Sequence, residues 1–299
     1  MGDDRRMASP GLSKLLRVGP GPVDLSSIDP RSTPGLPGAV GSDPKEWSRS
    51  EAARIGPELF HRQEMLFASA KERPEYRRRV LMVLQAMDCG GKDGTIKNVI
   101  GQLNPQGVRI VGFGKPTAEE LAHPFLWRIK RALPAAGLVG VFNRSHYEDV
   151  LVVRVHDLVP ARTWSGRFDE INRFEQELVD DGFELVKIML HISPNEQHKR
   201  LLERLEDPTK FWKYNPSDVD ERRRWPDYQA AYADALSRCG PDHAPWYVVP
   251  ADRKWYRNWA VANLLLEALG RLNLTYPPAD FDSAVERRRL EGERQVNEP

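Results

Sequence analysis

Residues 83–95 read Val-Leu-Gln-Ala-Met-Asp-Cys-Gly-Gly-Lys-Asp-Gly-Thr, an apolar run followed by three glycines and a lysine. Gly90, Gly91 and Gly94 carry no side chain, so backbone amides can close around phosphate oxygens. Lys92 supplies a point charge to a transferred group, and Thr95 follows where the loop would enter a helix. The segment departs from G-x-x-x-x-G-K-[ST] twice: Ala86 replaces the first glycine, and Asp93 replaces the magnesium-binding hydroxyl. Asp88 places a carboxylate inside a loop suited to anions. Like charges at close range repel, so such a carboxylate is unfavourable unless it holds a metal or orients the attacking group. It points to Mg²⁺. The bland reading is a tight strand-to-helix connection with Asp88 as a cap.

A second group lies at 141–150, Val-Phe-Asn-Arg-Ser-His-Tyr-Glu-Asp-Val. Arg144 can grip phosphate with two prongs, while Glu148 and Asp149 can bind a metal or recognise an acceptor. An acidic first helical turn with Arg144 as its partner would show the same residues. His146 beside Tyr147 reads as a packed or hydrogen-bonded residue, and nothing marks Cys89 as a nucleophile. A third group, Lys210, Phe211, Trp212, Lys213 and Tyr214, precedes Arg222-Arg223-Arg224. It reads as a basic lid that closes over a phosphoryl-transfer site, or as a solvated basic face. Phe211, Trp212 and Tyr214 are candidates to stack a base, whereas the helical spacing of Trp225, Tyr228 and Tyr232 suits the core.

These groups need elements to hold them. Five strand-like runs, at 80–86, 108–113, 138–142, 185–192 and 246–249, alternate with helical patterns and are mostly continuously apolar. That pattern belongs to parallel strands buried on both faces, and the alternation gives an α/β doubly wound sheet with ligands at the strands' carboxyl ends. Residues 51–70 predict a helix with Ile55, Leu59 and Leu66 on one face, and exposed apolar surface there would serve contacts between subunits. Trp164, Phe168, Ile171 and Leu178 mark another helical face, which Glu175 interrupts. Ser193-Pro194-Asn195-Glu196 predicts a capping box. Residues 1–45 hold seven Gly and seven Pro and read as a flexible arm, with docking of Leu15, Leu16 and Val18 as the alternative.

The composition bounds the rest. With 44 Lys+Arg against 43 Asp+Glu the net charge is +1, which argues against a protein that coats nucleic acid. With 40% hydrophobic residues and eight Trp, the chain can bury a sizeable core. No segment reaches the roughly 20 apolar residues needed to span a bilayer. The N-terminus carries no apolar signal run, and two cysteines make no disulfide framework, so a soluble cytoplasmic protein without membrane partners is expected.

Residues 85–95, together with Asn104-Pro105-Gln106-Gly107-Val108, Phe125-Leu126-Trp127-Arg128, the 142–150 segment and Trp255-Tyr256-Arg257-Asn258-Trp259, resemble the polyphosphate kinase 2 family over roughly residues 50 to 275. The resemblance implies a three-layer, thymidylate-kinase-like P-loop kinase fold with a five-stranded, mostly parallel sheet and a helical lid at about 207–226. The kinase domain would span 46–275, between the arm and a charged tail at 276–299. It implies a polyphosphate-dependent nucleotide kinase that uses Mg²⁺ or Mn²⁺ and a cation-lined tunnel to phosphorylate AMP or ADP, assembled as a dimer or tetramer. Carried over by position, Asp88, Lys92 and Arg144 would be catalytic, with Asp88 and Asp149 on the metal. Gly90, Gly91, Gly94, Thr95, Asn143, Glu148, Asp149, Lys213 and Arg222 would bind substrate. Asn143, where many members have aspartate, looks like the class that accepts both nucleoside mono- and diphosphates. Rival readings are an ATP-dependent nucleotide kinase of the same fold and a non-catalytic nucleotide-binding regulator.

Overall fold

The computed structural model describes residues 11–19, 21–37 and 43–296. Five strands, β1 (Arg79–Ala86), β2 (Val108–Gly112), β3 (Val139–Asn143), β4 (Phe183–His191) and β5 (Trp246–Pro250), form one sheet in the order β2-β3-β1-β4-β5. Every pairing is parallel. The expected strands are all present, with ends that differ by a few residues. The apolar runs of β1, β3, β4 and β5 are buried on both faces, as in Val80 to Leu84, because helices cover both sides, while the edge strand β2 leaves Ile110 exposed.

The helices are α1 (Leu12–Leu16), α2 (Pro44–Glu72), α3 (Lys92–Asn98), α4 (Ala118–Leu121), α5 (Trp127–Ala132) and α6 (Val152–Val155), then α7 (Ala161–Asp180), α8 (Pro194–Glu206), α9 (Asp218–Arg223), α10 (Trp225–Arg238), α11 (Lys254–Arg271) and α12 (Ser283–Val296). After β1 the chain builds β2 and β3 on one side, then returns to build β4 and β5 on the other. That reversal opens a crevice beyond the carboxyl end of β1, where the glycine loop lies. The helix expected at 51–70 belongs to α2, and its Ile55, Leu59 and Leu66 are fully buried, with α2 packed on α11. This stripe belongs to the core, and of the helix's large apolar side chains Phe60 remains exposed.

The described part of the N-terminal arm is docked, which corrects the flexible reading for those residues. Leu12, Leu16 and Leu25 enter the core. Glu267 accepts the amides of Leu12 and Ser13 at 2.7 and 3.1 Å, and Val18 N donates to Trp246 O at 2.9 Å. Arg17 bridges antiparallel to Tyr247. The physical reason is the exposed edge of β5: glycine and proline shorten helices but leave a chain free to cover a strand's unpaired groups. Further along, Asp252 N donates to Pro30 O and Tyr256 Oη to Pro34 O. Arm residues 1–10, 20 and 38–42 and tail residues 297–299 lie outside the described residues. The described end of the tail forms the exposed helix α12.

Replacing Leu16 by alanine is expected to cost about 2 to 5 kcal/mol of unfolding free energy in denaturant titration. A loss below about 0.5 kcal/mol, the scale of a surface change, would mean that the arm is not part of the core.

Candidate active site

The loop after β1 turns tightly, with Gly90 N donating to Met87 O at 2.9 Å. Cys89 and Gly91 adopt left-handed backbone, φ 62° and 105°. The amides of Gly91, Lys92, Asp93 and Gly94 have no acceptor among the described residues, as expected where a helix begins, so they are free for an anion. Helix α8 holds the loop's carbonyls from behind. Gln197 Nε2 donates to Asp88 O at 2.9 Å and Arg200 Nη1 to Cys89 O at 2.8 Å. The start of α8 differs from the expected capping box: Ser193 Oγ accepts from Glu196 N, but Asp252 takes the Ser193 amide and hydroxyl at 2.8 Å each, while Glu196 pairs with Arg200. Lys92 Nζ donates to Ala86 O at 3.0 Å; burial, then Arg144, pushes its pKa down against the pull of Asp88, Glu148 and Asp93.

The second motif starts where β3 ends. Asn143 pairs in register with Leu84, and Arg144 N donates to Leu84 O at 3.0 Å. Arg144 is left-handed at φ 65°, a strain of roughly 1–3 kcal/mol that directs its side chain toward the loop. Its Nη2 meets Asp88 Oδ1 at 3.1 Å. Burial lowers the Arg144 pKa, but Glu148 and Asp88 outweigh it and keep the guanidinium firmly charged. Asp93 accepts from Asn143 Nδ2 at 3.0 Å and from Lys213 Nζ at 3.3 Å. It therefore ties the loop to the second motif and the basic segment. Burial raises its pKa, yet Asn143 and Lys213 leave it below the ordinary value.

Beneath Arg144 lies a buried polar cluster. Lys187 of β4 donates to Glu175 Oε2, to Tyr147 Oη at 3.0 Å and to Cys239 O at 2.6 Å. Glu175 also accepts from Tyr147 Oη at 2.8 Å and faces His146 Nε2 at 3.2 Å. The glutamate that interrupts the apolar face of α7 thus anchors the 3₁₀ turn His146–Asp149 carrying Glu148. Burial raises the Glu175 pKa, but Lys187 and His146 leave it lowered. Its contribution to stability is therefore complete above the ordinary glutamate range and lost as pH falls through the lowered value.

Two cavities meet at the crevice. The larger, about 900 Å³, is lined by the glycine loop and the basic segment and carries eight cationic side chains against four carboxylates. The smaller, about 240 Å³, carries Asp88, Glu148, Asp218 and Glu221 against Arg144 alone, with Tyr228 and Tyr232 on its wall. Asp88 and Arg144 line both. Burial pushes the Glu148 carboxyl up against the opposing pull of Arg144 and Lys92. Gln85 satisfies both its neighbours when its Nε2 faces Glu148 Oε1 at 3.0 Å and its oxygen faces Ser145 N at 3.2 Å.

The crevice gathers Asp88, Lys92, Arg144, Gly90, Gly91, Gly94, Asn143, Glu148 and Lys213, but not the remaining expected residues. Thr95 is fully buried inside α3, so its hydroxyl does not reach the cavity. Asp149 lines neither cavity: Arg167 Nη1 donates to its Oδ1 at 3.0 Å and Arg128 lies 4.0 Å from Oδ2, so pairing it with Asp88 on one metal is corrected. Arg222 donates to Pro194 O and Gln197 Oε1 behind the loop. Sequence reasoning missed Arg200, Asp218, Glu221 and Arg257 at the crevice. It also assigned Tyr228 and Tyr232 to the core alone, since helical spacing does not distinguish a core wall from a cavity wall.

The sequence model described as polyphosphate kinase 2 matches residues 49–275. The chain belongs to the polyphosphate kinase 2 family. It is 45% identical over 271 residues to an AMP/ADP-polyphosphate phosphotransferase from Meiothermus ruber, covering 90% of this chain and 97% of the relative. An ADP-polyphosphate phosphotransferase from Rhodopseudomonas palustris is 42% identical, with 72% and 76% covered. The crystal structure of polyphosphate kinase 2 from Arthrobacter aurescens superposes with a TM-score of 0.89 at 46% identity over 95% of this chain and 97% of that one. Within this polyphosphate kinase 2 fold, replacing Lys187 by methionine leaves Glu175 buried without its cation. It is expected to cost about 3 to 5 kcal/mol in thermal or denaturant unfolding.

Proposed function

We propose that this chain transfers the terminal phosphoryl group of inorganic polyphosphate to AMP and/or ADP, forming ADP and/or ATP. The observation that carries the reading is the Asp88–Arg144 contact, shared by a cationic cavity and an acidic, tyrosine-walled one. The cationic cavity suits the polyanionic donor. The smaller cavity suits the acceptor, its nucleoside against Tyr228 and Tyr232 and its phosphate directed at Arg144.

A terminal phosphate oxygen of the acceptor attacks the terminal phosphorus of the chain in line. The bond from that phosphorus to its bridging oxygen breaks, and polyphosphate leaves one phosphate shorter. Lys92, Arg144 and the free amides of residues 91–94 hold the equatorial and leaving oxygens, which is most of what catalysis demands of such a site. Lys210 and Lys213 would close over the transferred group as a lid. A further cavity of about 980 Å³ shares Asn98, Lys254 and Asn258 with the cation-rich one and adds Arg31, Lys45, Arg49, Lys199 and Arg253. It offers a continuation for the polyphosphate chain.

Among the described residues no group of three or more His, Cys, Asp or Glu forms a metal cage. Asp88 and Asp218 both line the two cavities, and a carboxylate at that junction fits an ion held by one side chain, waters and substrate phosphates. Asp88 would hold Mg²⁺ or Mn²⁺, which supplies charge neutralisation between the two anions. No described helix is long and apolar enough to cross a membrane. A cytoplasmic setting, where the nucleotides are, and a dimer or tetramer complete the reading.

Purified protein given polyphosphate, Mg²⁺ and AMP or ADP is expected to form ADP or ATP, and chelation by EDTA to stop it. Product from ATP but from no polyphosphate chain length would sink the proposal. Replacing Arg144 by alanine should lower turnover by about 10³- to 10⁵-fold, the range for an arginine on a transferred phosphoryl group. Because the Glu148 pKa is raised, the acid limb of kcat/KM for AMP should lie above the ordinary glutamate range. Glu148→Gln should remove that limb, and a profile identical to the native one would exclude the assignment.

A further inference from the structure

Arg257, near the start of α11, is only 3% exposed and yet lines the cation-rich cavity beside the glycine loop. Its Nε and Nη2 both donate to Asn258 Oδ1, at 3.1 and 2.8 Å. No carboxylate among the described residues pairs with it, whereas every other buried arginine, Arg128 and Arg200, has one. A buried guanidinium without an anion is an expensive arrangement, whose desolvation the two hydrogen bonds to Asn258 offset only in part. Burial, followed by repulsion from Arg200, pulls its pKa down to about 10.

The guanidinium lies close against the glycine loop. A Cβ built on Gly91 would stand 1.8 Å from Nη1, and one on Gly94 would stand 2.8 Å from Nη2. Gly91 needs its glycine for φ 105° in any case. Gly94 does not: it sits inside α3, where glycine is less favourable than alanine, and its φ is not positive. Space for Arg257 is the reason the structure offers for a glycine there.

We propose that Arg257 is a donor-binding residue that contacts a phosphate of the polyphosphate chain at the mouth of the glycine loop, and that Gly94 is glycine in order to admit it. Asn258 fixes the guanidinium's plane from one edge and leaves Nη1 for the ligand. The incoming phosphate supplies the counter-charge that the fold withholds. The proposal rests on polyphosphate being the donor, so its test compares variants with a native enzyme whose transfer from polyphosphate has been measured first.

Arg257→Met keeps the bulk of the side chain and removes the charge. The variant is expected to melt no lower than the native protein, since an apolar group replaces an unpaired buried cation. Its affinity for polyphosphate, read by direct titration and by KM, is expected to fall on the order of 10- to 100-fold, as for one charged hydrogen bond, with the KM for AMP unchanged. Gly94→Ala should weaken polyphosphate binding in the native background and add nothing in Arg257→Met, because both changes act through one contact. Should Arg257→Met fail to fold, Arg257→Gln, which also removes the charge, replaces it, with the same split between the two KM values expected. Native-like polyphosphate binding by a folded variant, equal losses for both substrates, or additive penalties from the two substitutions would each overturn the proposal while leaving the donor assignment standing.

Discussion

The 3.1 Å contact between Arg144 and Asp88 joins the carboxyl ends of β1 and β3, and most of the site is arranged to make it possible. Both residues belong to connections that leave the sheet at adjacent strand ends, which the parallel register of β1 and β3 fixes. Neither connection is relaxed. Cys89 and Arg144 hold left-handed backbone that non-glycine residues rarely adopt, and such strain persists only where surrounding structure over-determines it. That support is visible on both sides. Gln197 and Arg200 hold the carbonyls of the first loop, and the Glu175–Lys187–Tyr147 cluster anchors the turn that follows Arg144.

Charge is segregated around this contact. A net charge of +1 conceals a cavity with twice as many cations as carboxylates beside another in which carboxylates dominate. The cation-rich cavity attracts an anionic ligand, whereas in the other Arg144 is the cation that can hold one against the carboxylates, so two anionic ligands would meet at one ion pair. The cost appears in the pKa shifts. Lys92 is pulled down and Glu148 pushed up, because each is buried near groups that compensate it only in part. Arg257 is the extreme case, a buried cation that no carboxylate among the described residues pairs with.

The five parallel strands were legible because continuously apolar runs separated by helical patterns admit few alternatives, whereas their order β2-β3-β1-β4-β5 was decided by packing. The glycine loop was legible because three glycines and a lysine after a buried strand serve a backbone need that composition alone displays. Asp93 could be read only as a departure from a pattern. Its role as the tie between Asn143 and Lys213 depends on two side chains, 50 and 120 positions away, that the sheet brings to it. Asp149 shows the reverse. It follows Glu148 directly and looks like its partner, yet successive residues of a tight turn point in different directions, and Arg167 and Arg128 claim it.

What the chain's residues settled alone was local: strand runs, helix faces, the loop's chemistry and the second motif, each dictated by short-range periodicity and backbone need. The docking of the arm on β5, the division into two cavities and the burial of Arg257 against Gly94 were decided by tertiary structure. The physical reason is distance along the chain. Arg257 lies 163 positions from Gly94, Glu267 lies 255 from Leu12, and no local pattern reports which distant side chain a glycine makes room for or which edge a proline-rich segment will cover.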